Sequence, residues 1–175
     1  MRLNKKELRF FYNITCELVQ HEKLQEMRNY IQHGDTSTFI HCITVAYFSY
    51  LLARRLRRII RFNLDAKSLI RGALLHDFYL YDWHIPHESH KLHGFRHPVF
   101  ALNNSRKYFK LNKIEEDIIE KHMWPLTFTR VPRFKEAFLV CMIDKYCSLA
   151  ETFYIPLLPK PVLSYIKVNF MQDIK

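Results

Sequence analysis

Glycine is scarce in this chain, since only three of its 175 residues are glycine. Proteins rich in sheets and tight turns use glycine where the backbone takes positive φ angles, so the scarcity favours helices joined by short polar connections. The sequence also lacks the apolar run of roughly 18 or more residues that a membrane-spanning helix needs. We therefore expect an all-α protein that does not enter a membrane.

Paired cysteines are missing too. The four cysteines are Cys16, Cys42, Cys141 and Cys147, and no two of them have CxxC spacing. All four lie in apolar, helix-like segments, so we expect buried free thiols, as in a reducing compartment. The opening residues, MRLNKKELRFFYN, lack the apolar core of a signal peptide. Together these features predict a cytoplasmic protein.

Acidic residues are the minority among the charged ones, with 17 Asp and Glu against 27 Lys and Arg, for a net charge of +10. This surplus favours anionic partners such as nucleotides, other phosphates, nucleic acid or acidic lipid, unless it is only a solvated surface. The densest run, RRLRR at 54–58, carries no recognisable nucleic-acid-reading motif. Nucleic acid is therefore disfavoured as a partner. The run at 54–58 could instead form a subunit contact in a homo-oligomer or bind an anionic surface.

The spacing of apolar residues predicts a helical bundle in one domain spanning residues 1–175. One or two helices fall within 4–32, and the polar stretch 33–38 supplies an N-cap for the next helix. The later helices are predicted at about 37–60, 65–77, 97–110, 112–123 and 133–152. The helix from His97 would use Pro98 in its first turn, after a loop at 83–96. A proline-punctuated tail, 153–175, follows the motif core at about 33–152.

Ionisable side chains interrupt the apolar faces of four of these predicted helices. They are His41, the neighbouring pair His76 and Asp77, then His122 and Asp144. Burying such groups is costly unless a hydrogen bond, an opposite charge or a metal compensates. Taken singly, each could be a core histidine with satisfied hydrogen bonds, or an aspartate that caps a helix or pairs with a cation. Taken jointly, they predict convergence on a metal, because imidazole and carboxylate ligate Zn, Fe, Mn, Ni or Mg.

The order of these residues resembles that of the HD superfamily of metal-dependent phosphohydrolases. The resemblance runs through three segments: HCITVAYFSYLLA, ALLHDFYLYDW and VCMIDKYCSLAE. It covers about residues 33–152, and the run HDFYLYDW is similar to that of a group of small bacterial HD-domain proteins. It implies that one divalent metal is bound by His41, His76, Asp77 and Asp144. The chain lacks an HD-Ile-Gly run and a Gly-Tyr-Pro signature, so the resemblance names no substrate.

Some members of that superfamily hold a second metal through two further histidines, with the HD aspartate bridging. His97 and His122 match those positions, so the resemblance implies one or two ions of Fe, Mn, Zn, Ni, Co or Mg. Asp77 is then also the candidate catalytic residue that orients the nucleophile. Lys145, beside Asp144, is the candidate catalytic cation for the substrate phosphate.

Three interpretations of function follow. The first is a hydrolase that cleaves a phosphomonoester or phosphodiester, such as that of a nucleotide, with metal-activated water. The second is a nucleotide-binding or signalling module that keeps the metal without turnover, and the third is a basic module for nucleic acid. Histidines also recur at every third position from His84 through His87 and His90 to His93. This segment is either a solvated loop or a lid beside the site.

Overall fold

The chain folds into helices, as predicted. The computed structural model describes residues 2–85 and 91–170, without the side chain of Phe170. Eight α-helices lie in those ranges: α1 (Lys5–Val19), α2 (Glu22–Gln25), α3 (Thr38–Ile60), α4 (Ala66–Leu75), α5 (His93–Tyr108), α6 (Lys113–Lys121), α7 (Lys135–Thr152) and α8 (Lys160–Phe170). A 3-10 turn (Glu26–Asn29) and two short antiparallel strands, β1 (Ile31–His33) and β2 (Thr36–Ser37), join α2 to α3. The all-α class is thus confirmed.

Polar side chains cap the amino ends of α1, α3, α4 and α6. Asn4 and Asn112 each accept a hydrogen bond from the backbone N–H of a glutamate three residues on, in capping boxes at α1 and α6. Asp65 caps α4, and Ser37 caps α3 as the sequence predicted. No helix in the described ranges is both long enough and apolar enough to cross a bilayer.

The centre of the fold is the pair α3 and α4. Helix α4 packs against α3 on one side and α6 on the other, and α7 packs against both α3 and α6. Fully buried side chains such as Leu69 and Ile118 belong to this core, and Tyr47 of α3 packs edge-on against Phe11 of α1. This packing brings the first turn of α3, the carboxyl ends of α4 and α6, and the middle of α7 to one place.

Two local predictions are wrong. The helix expected from His97 begins four residues earlier, at His93, so Pro98 lies inside α5. The extra turn is held by the rings of His93 and His97, which stack at 4.5 Å, and by a bond of 2.9 Å from His97 Nδ1 to the His93 carbonyl. The helices expected within 4–32 end before the limit of that range, because strand β1 begins at Ile31, which is exposed.

The cysteine prediction is confirmed in that all four residues are free thiols, but it is wrong for the burial of Cys16. Cys42, Cys141 and Cys147 are buried, whereas Cys16 is half-buried, with its sulfur 3.5 Å from the hydroxyl of Tyr165.

We expect Gly72→Ala to destabilise the protein by about 1 kcal/mol. A Cβ at Gly72 would lie 2.6 Å from Cδ1 of Ile118, a side chain that is wholly buried between α4 and α6. The overpacking cost of about 1–3 kcal/mol exceeds the gain of about 1 kcal/mol in helix propensity. Urea denaturation measures the change. Gly94→Ala in α5 is the control, since its nearest neighbour is a terminal methyl of half-exposed Leu126. A Gly72→Ala protein as stable as the wild type would contradict this account of the α4–α6 contact.

Candidate metal centre

Six side chains predicted from the sequence as metal ligands meet in the interior. They are His41 in α3, His76 and Asp77 at the end of α4, His97 in α5, His122 at the end of α6, and Asp144 in α7. Each is buried, with at most 6% of its surface exposed. None of the six lies apart from the others, and they form two clusters that share Asp77.

The first cluster joins α3, α4 and α7. The Oδ1 atom of Asp144 lies 3.1 Å from Nε2 of His41 and 3.5 Å from Nε2 of His76. The Oδ2 atom of Asp77 lies 3.4 Å from His76 Nε2 and 3.8 Å from His41 Nε2. Two imidazole nitrogens and two carboxylate oxygens therefore face a common centre.

The second cluster joins α4, α5 and α6. The Nε2 atoms of His97 and His122 lie 2.7 Å apart. The other oxygen of Asp77, Oδ1, lies 3.1 Å from His97 Nε2 and 3.4 Å from His122 Nε2. The carboxylate of Asp77 thus presents one oxygen to each cluster.

Backbone carbonyls fix the tautomer of three of the histidines. In each, Nδ1 donates to a carbonyl three or four residues earlier: His76 to Ala73 (2.7 Å), His97 to His93 (2.9 Å) and His122 to Ile119 (2.8 Å). With the proton on Nδ1, the Nε2 lone pair points into the clusters. Metal-binding histidines are commonly oriented by such a bond.

These residues fit a divalent metal. Nε2 of His76 and Oδ1 of Asp77 are buried and have no hydrogen-bond partner among the described residues. In the second cluster, the two Nε2 lone pairs confront each other at 2.7 Å, an arrangement that a cation between them would relieve. Groups of His and Asp close enough to share an ion occur in this region, namely His41, His76 and Asp144, and His76, Asp77 and His122.

The electrostatics of the two clusters also favour a bound cation. Burial opposes a charge on His41, but its bonds to Asp144 and Glu151 outweigh burial and raise its pKa to about 10. Burial likewise favours a neutral Asp77, yet the neighbouring histidines, His76 first, hold its pKa well below the usual range. Burial lowers the pKa of His122 to about 4. The site therefore keeps ionised carboxylates beside a neutral His122.

Two residues of the site were not predicted. Glu151 accepts a bond of 2.7 Å from Nδ1 of His41, completing a carboxylate–histidine pair behind the first cluster. Gln32, in β1, donates its amide to Oδ2 of Asp77 at 2.6 Å, and the hydroxyl of Tyr79 donates to the amide oxygen of Gln32. Glu151 follows Asp144 by seven residues, two helical turns on the same face, and that spacing could have found it. Gln32 carries no comparable signal.

Lys145, the predicted catalytic cation, borders the site without touching its ligand atoms. Its ammonium donates to the carbonyl of His122 at 2.7 Å and lies 4.0 Å from Oδ2 of Asp144. The side chain is about a third exposed and faces the same cavity as the clusters. It thus places a positive charge at the carboxyl end of α6.

A cavity of about 390 Å³ opens beside the clusters. Asp77, His97, His122 and Asp144 form its polar end. The remaining lining includes His33 and His93 together with the apolar side chains of Trp83, Met123 and Leu126. The cavity can therefore hold a molecule with both a polar and an apolar part.

The repeated histidines divide between two settings. His93 lines the cavity, with its ring stacked on Trp83 at 5.1 Å and its Nδ1 atom 2.9 Å from the hydroxyl of Tyr81. His84 is exposed and bonds to Asp82. His87 and His90 lie outside the described residues.

A family model described as HD domain matches residues 38–149. The chain belongs to the HD-domain family. The matched segment starts with α3 and ends inside α7, so it includes all six clustered side chains but neither Gln32 nor Glu151. Searches among curated proteins and among solved structures found no match. The resemblance of the sequence to the HD superfamily of metal-dependent phosphohydrolases is thus confirmed at the level of the family.

We expect Glu151→Gln to weaken Mn²⁺ binding by about 10–100-fold, because a neutral amide no longer raises the basicity of the His41 ring. Isothermal titration calorimetry measures the affinity. Glu136→Gln is the matched control, since Glu136 is also buried in α7 but bonds to the N–H of Asp65, away from the clusters. Equal affinities for the two variants would contradict a role of Glu151 in metal binding.

Proposed function

We propose that this HD-domain protein is a phosphohydrolase that works with two divalent metal ions. The observation that supports it best is the position of Asp77, whose two oxygens face separate groups of histidine nitrogens. A carboxylate in that position is suited to bridge two ions. The first ion would be held by His41, His76, Asp144 and Oδ2 of Asp77, and the second by His97, His122 and Oδ1 of Asp77.

The donor set narrows the choice of metal. Four imidazoles and two carboxylates suit Mn, Fe, Co, Ni or Zn better than Mg, which prefers oxygen ligands. A divalent ion bound here would supply the hydrolytic nucleophile by lowering the pKa of a bound water. Asp77 would orient this nucleophile. Gln32 in turn holds the Asp77 carboxylate through its amide.

The cavity supports a small phosphorylated substrate with an apolar part, and we propose a nucleotide. Its phosphate would lie at the polar end, near the clusters and the ammonium of Lys145. Its base would lie against Trp83, Met123 and Leu126. Aromatic and apolar walls with a few polar groups are typical of small-molecule sites.

The proposal is tested by metal analysis of the purified protein together with a hydrolysis screen over nucleotides with added Mn²⁺, Co²⁺, Ni²⁺ or Mg²⁺. We expect bound transition metal and release of phosphate from at least one nucleotide. Metal without hydrolysis would support the alternative, a binding or signalling module. A protein with neither bound metal nor nucleotide hydrolysis would contradict both the proposed activity and the proposed metal site.

Single substitutions should change the metal content in steps. We expect His97→Ala to lower the stoichiometry from two ions to one, because it removes a ligand of the second cluster alone. Asp77→Ala should impair both sites and abolish hydrolysis. Elemental analysis measures the metal, and circular dichroism checks the fold. His84→Ala, a change at an exposed histidine outside the clusters, is the control. Two ions retained in His97→Ala would rule out its assignment as a ligand.

We expect Lys145→Met to lower kcat by about 100–1,000-fold while the metal content stays unchanged, since a cation beside the substrate phosphate stabilises developing negative charge. Steady-state kinetics with the best nucleotide of the screen measures the effect. If Lys145 serves only to bond the carboxyl end of α6, the variant should instead lose stability and metal with little change in kcat per bound ion.

A further inference from the structure

Helix α7 has a second apolar face that points to solvent. Five large apolar side chains, each 49–68% exposed, follow one another along this face and its end: Phe138, Met142, Tyr146, Leu149 and Phe153. We call them the α7 stripe. The opposite face of α7 carries Asp144 and Glu151 of the metal centre and is buried. Apolar side chains therefore lie on both sides of this helix. A surface helix that packs on a single core usually has only one apolar face.

The charged groups of α7 have partners within the same copy of the chain or are buried. The ammonium of Lys135 lies over the ring of Phe62 at 4.9 Å, and that of Lys145 bonds to the carbonyl of His122. The acidic side chains of the helix, Glu136, Asp144 and Glu151, are buried. Although the chain has a net charge of +10, a partner that covers the stripe would meet no charged side chain along its centre.

The spacing of the stripe is nearly symmetric about its middle. If two copies of α7 pack antiparallel with Tyr146 of each copy near the two-fold axis, Phe138 lies opposite Phe153 and Met142 lies opposite Leu149. Each apolar residue then meets an apolar residue of the other copy. Such self-complementarity is what a two-fold symmetric interface requires.

The exposed area of the stripe, if fully covered, reaches the lower end of the range for a specific dimer interface. Large apolar side chains have about 150–250 Å² each, so the half-exposed stripe, with Phe134 one turn before it, presents roughly 650 Å² per copy. Two copies would bury roughly 1,300 Å², within the range of about 1,200–2,000 Å² found for specific interfaces.

We infer that the α7 stripe is the interface of a homodimer in which two copies of α7 pack antiparallel. This inference is independent of the proposed function, because it rests on the outward face of the helix. A lipid surface is the less suitable occupant, since membrane-binding faces carry lysine and arginine beside their apolar residues. The two lysines of α7 are engaged elsewhere.

Charge substitutions test the pairing in the full chain. Met142→Lys and Leu149→Glu each place an unpaired charge in the interface, so each should raise the dissociation constant of the dimer about 100-fold or more. The double variant places the introduced lysine of each copy opposite the introduced glutamate of the other, and it should recover most of the lost affinity. Ile59→Glu, at an exposed isoleucine of α3, is the control and should leave the dimer intact.

Sedimentation velocity measures the oligomeric state, while circular dichroism and metal content show that each variant is folded. A dimeric wild type, weakened by each single change and recovered by the double one, supports the inference. A monomeric wild type overturns it, including one that binds vesicles of phosphatidylglycerol and phosphatidylcholine through the stripe. A dimer unaffected by the single changes, or not recovered by the double variant, overturns it as well.

Discussion

The carboxylate of Asp77 is the constraint on which the rest of this structure depends. It is 2% exposed, and burial alone would favour its neutral acid form. Imidazole nitrogens of both clusters and the amide of Gln32 surround its two oxygens, and its pKa stays well below the usual range. An ionised carboxylate in the interior is costly unless groups around it compensate. Four helices of the bundle and strand β1 supply those groups at this one point.

Two of these imidazoles lie at helix ends, where their hydrogen bonds also satisfy backbone carbonyls. His76 and His122 are the C-cap residues of α4 and α6, and each donates Nδ1–H to the carbonyl three residues earlier. The last carbonyls of a helix have no partner within the helix, so these bonds satisfy groups that would otherwise be orphaned. The same bonds turn Nε2 of both rings toward Asp77. One hydrogen bond therefore both satisfies the end of the helix and turns a ring nitrogen toward Asp77.

The sequence predicts the site as far as helical periodicity reaches. His41, His76, His122 and Asp144 could be placed on inner faces because apolar neighbours three and four residues away define those faces. Gln32 could not, since its contact with Asp77 depends on how the two short strands pack against α3 and α7. The early start of α5 was missed for a similar reason. His93 stacks on His97 four residues later and also on Trp83, and the contact with Trp83, which lies outside α5, cannot be read from spacing along one helix.

Helix α7 joins the two inferences. Periodicity finds its inner face, yet both of its faces are apolar, so one core cannot account for the whole helix. Its inner face carries Asp144 and, two turns later, Glu151, which orients His41. Ligands must be held in fixed geometry to bind a metal well, and rigid elements do so better than loops. A helix packed on its own core and on the same helix of a second copy is restrained on two sides. Pairing along the α7 stripe would therefore stiffen the helix that carries Asp144 of the first cluster and Glu151 behind His41, and it would add no residue to either cluster.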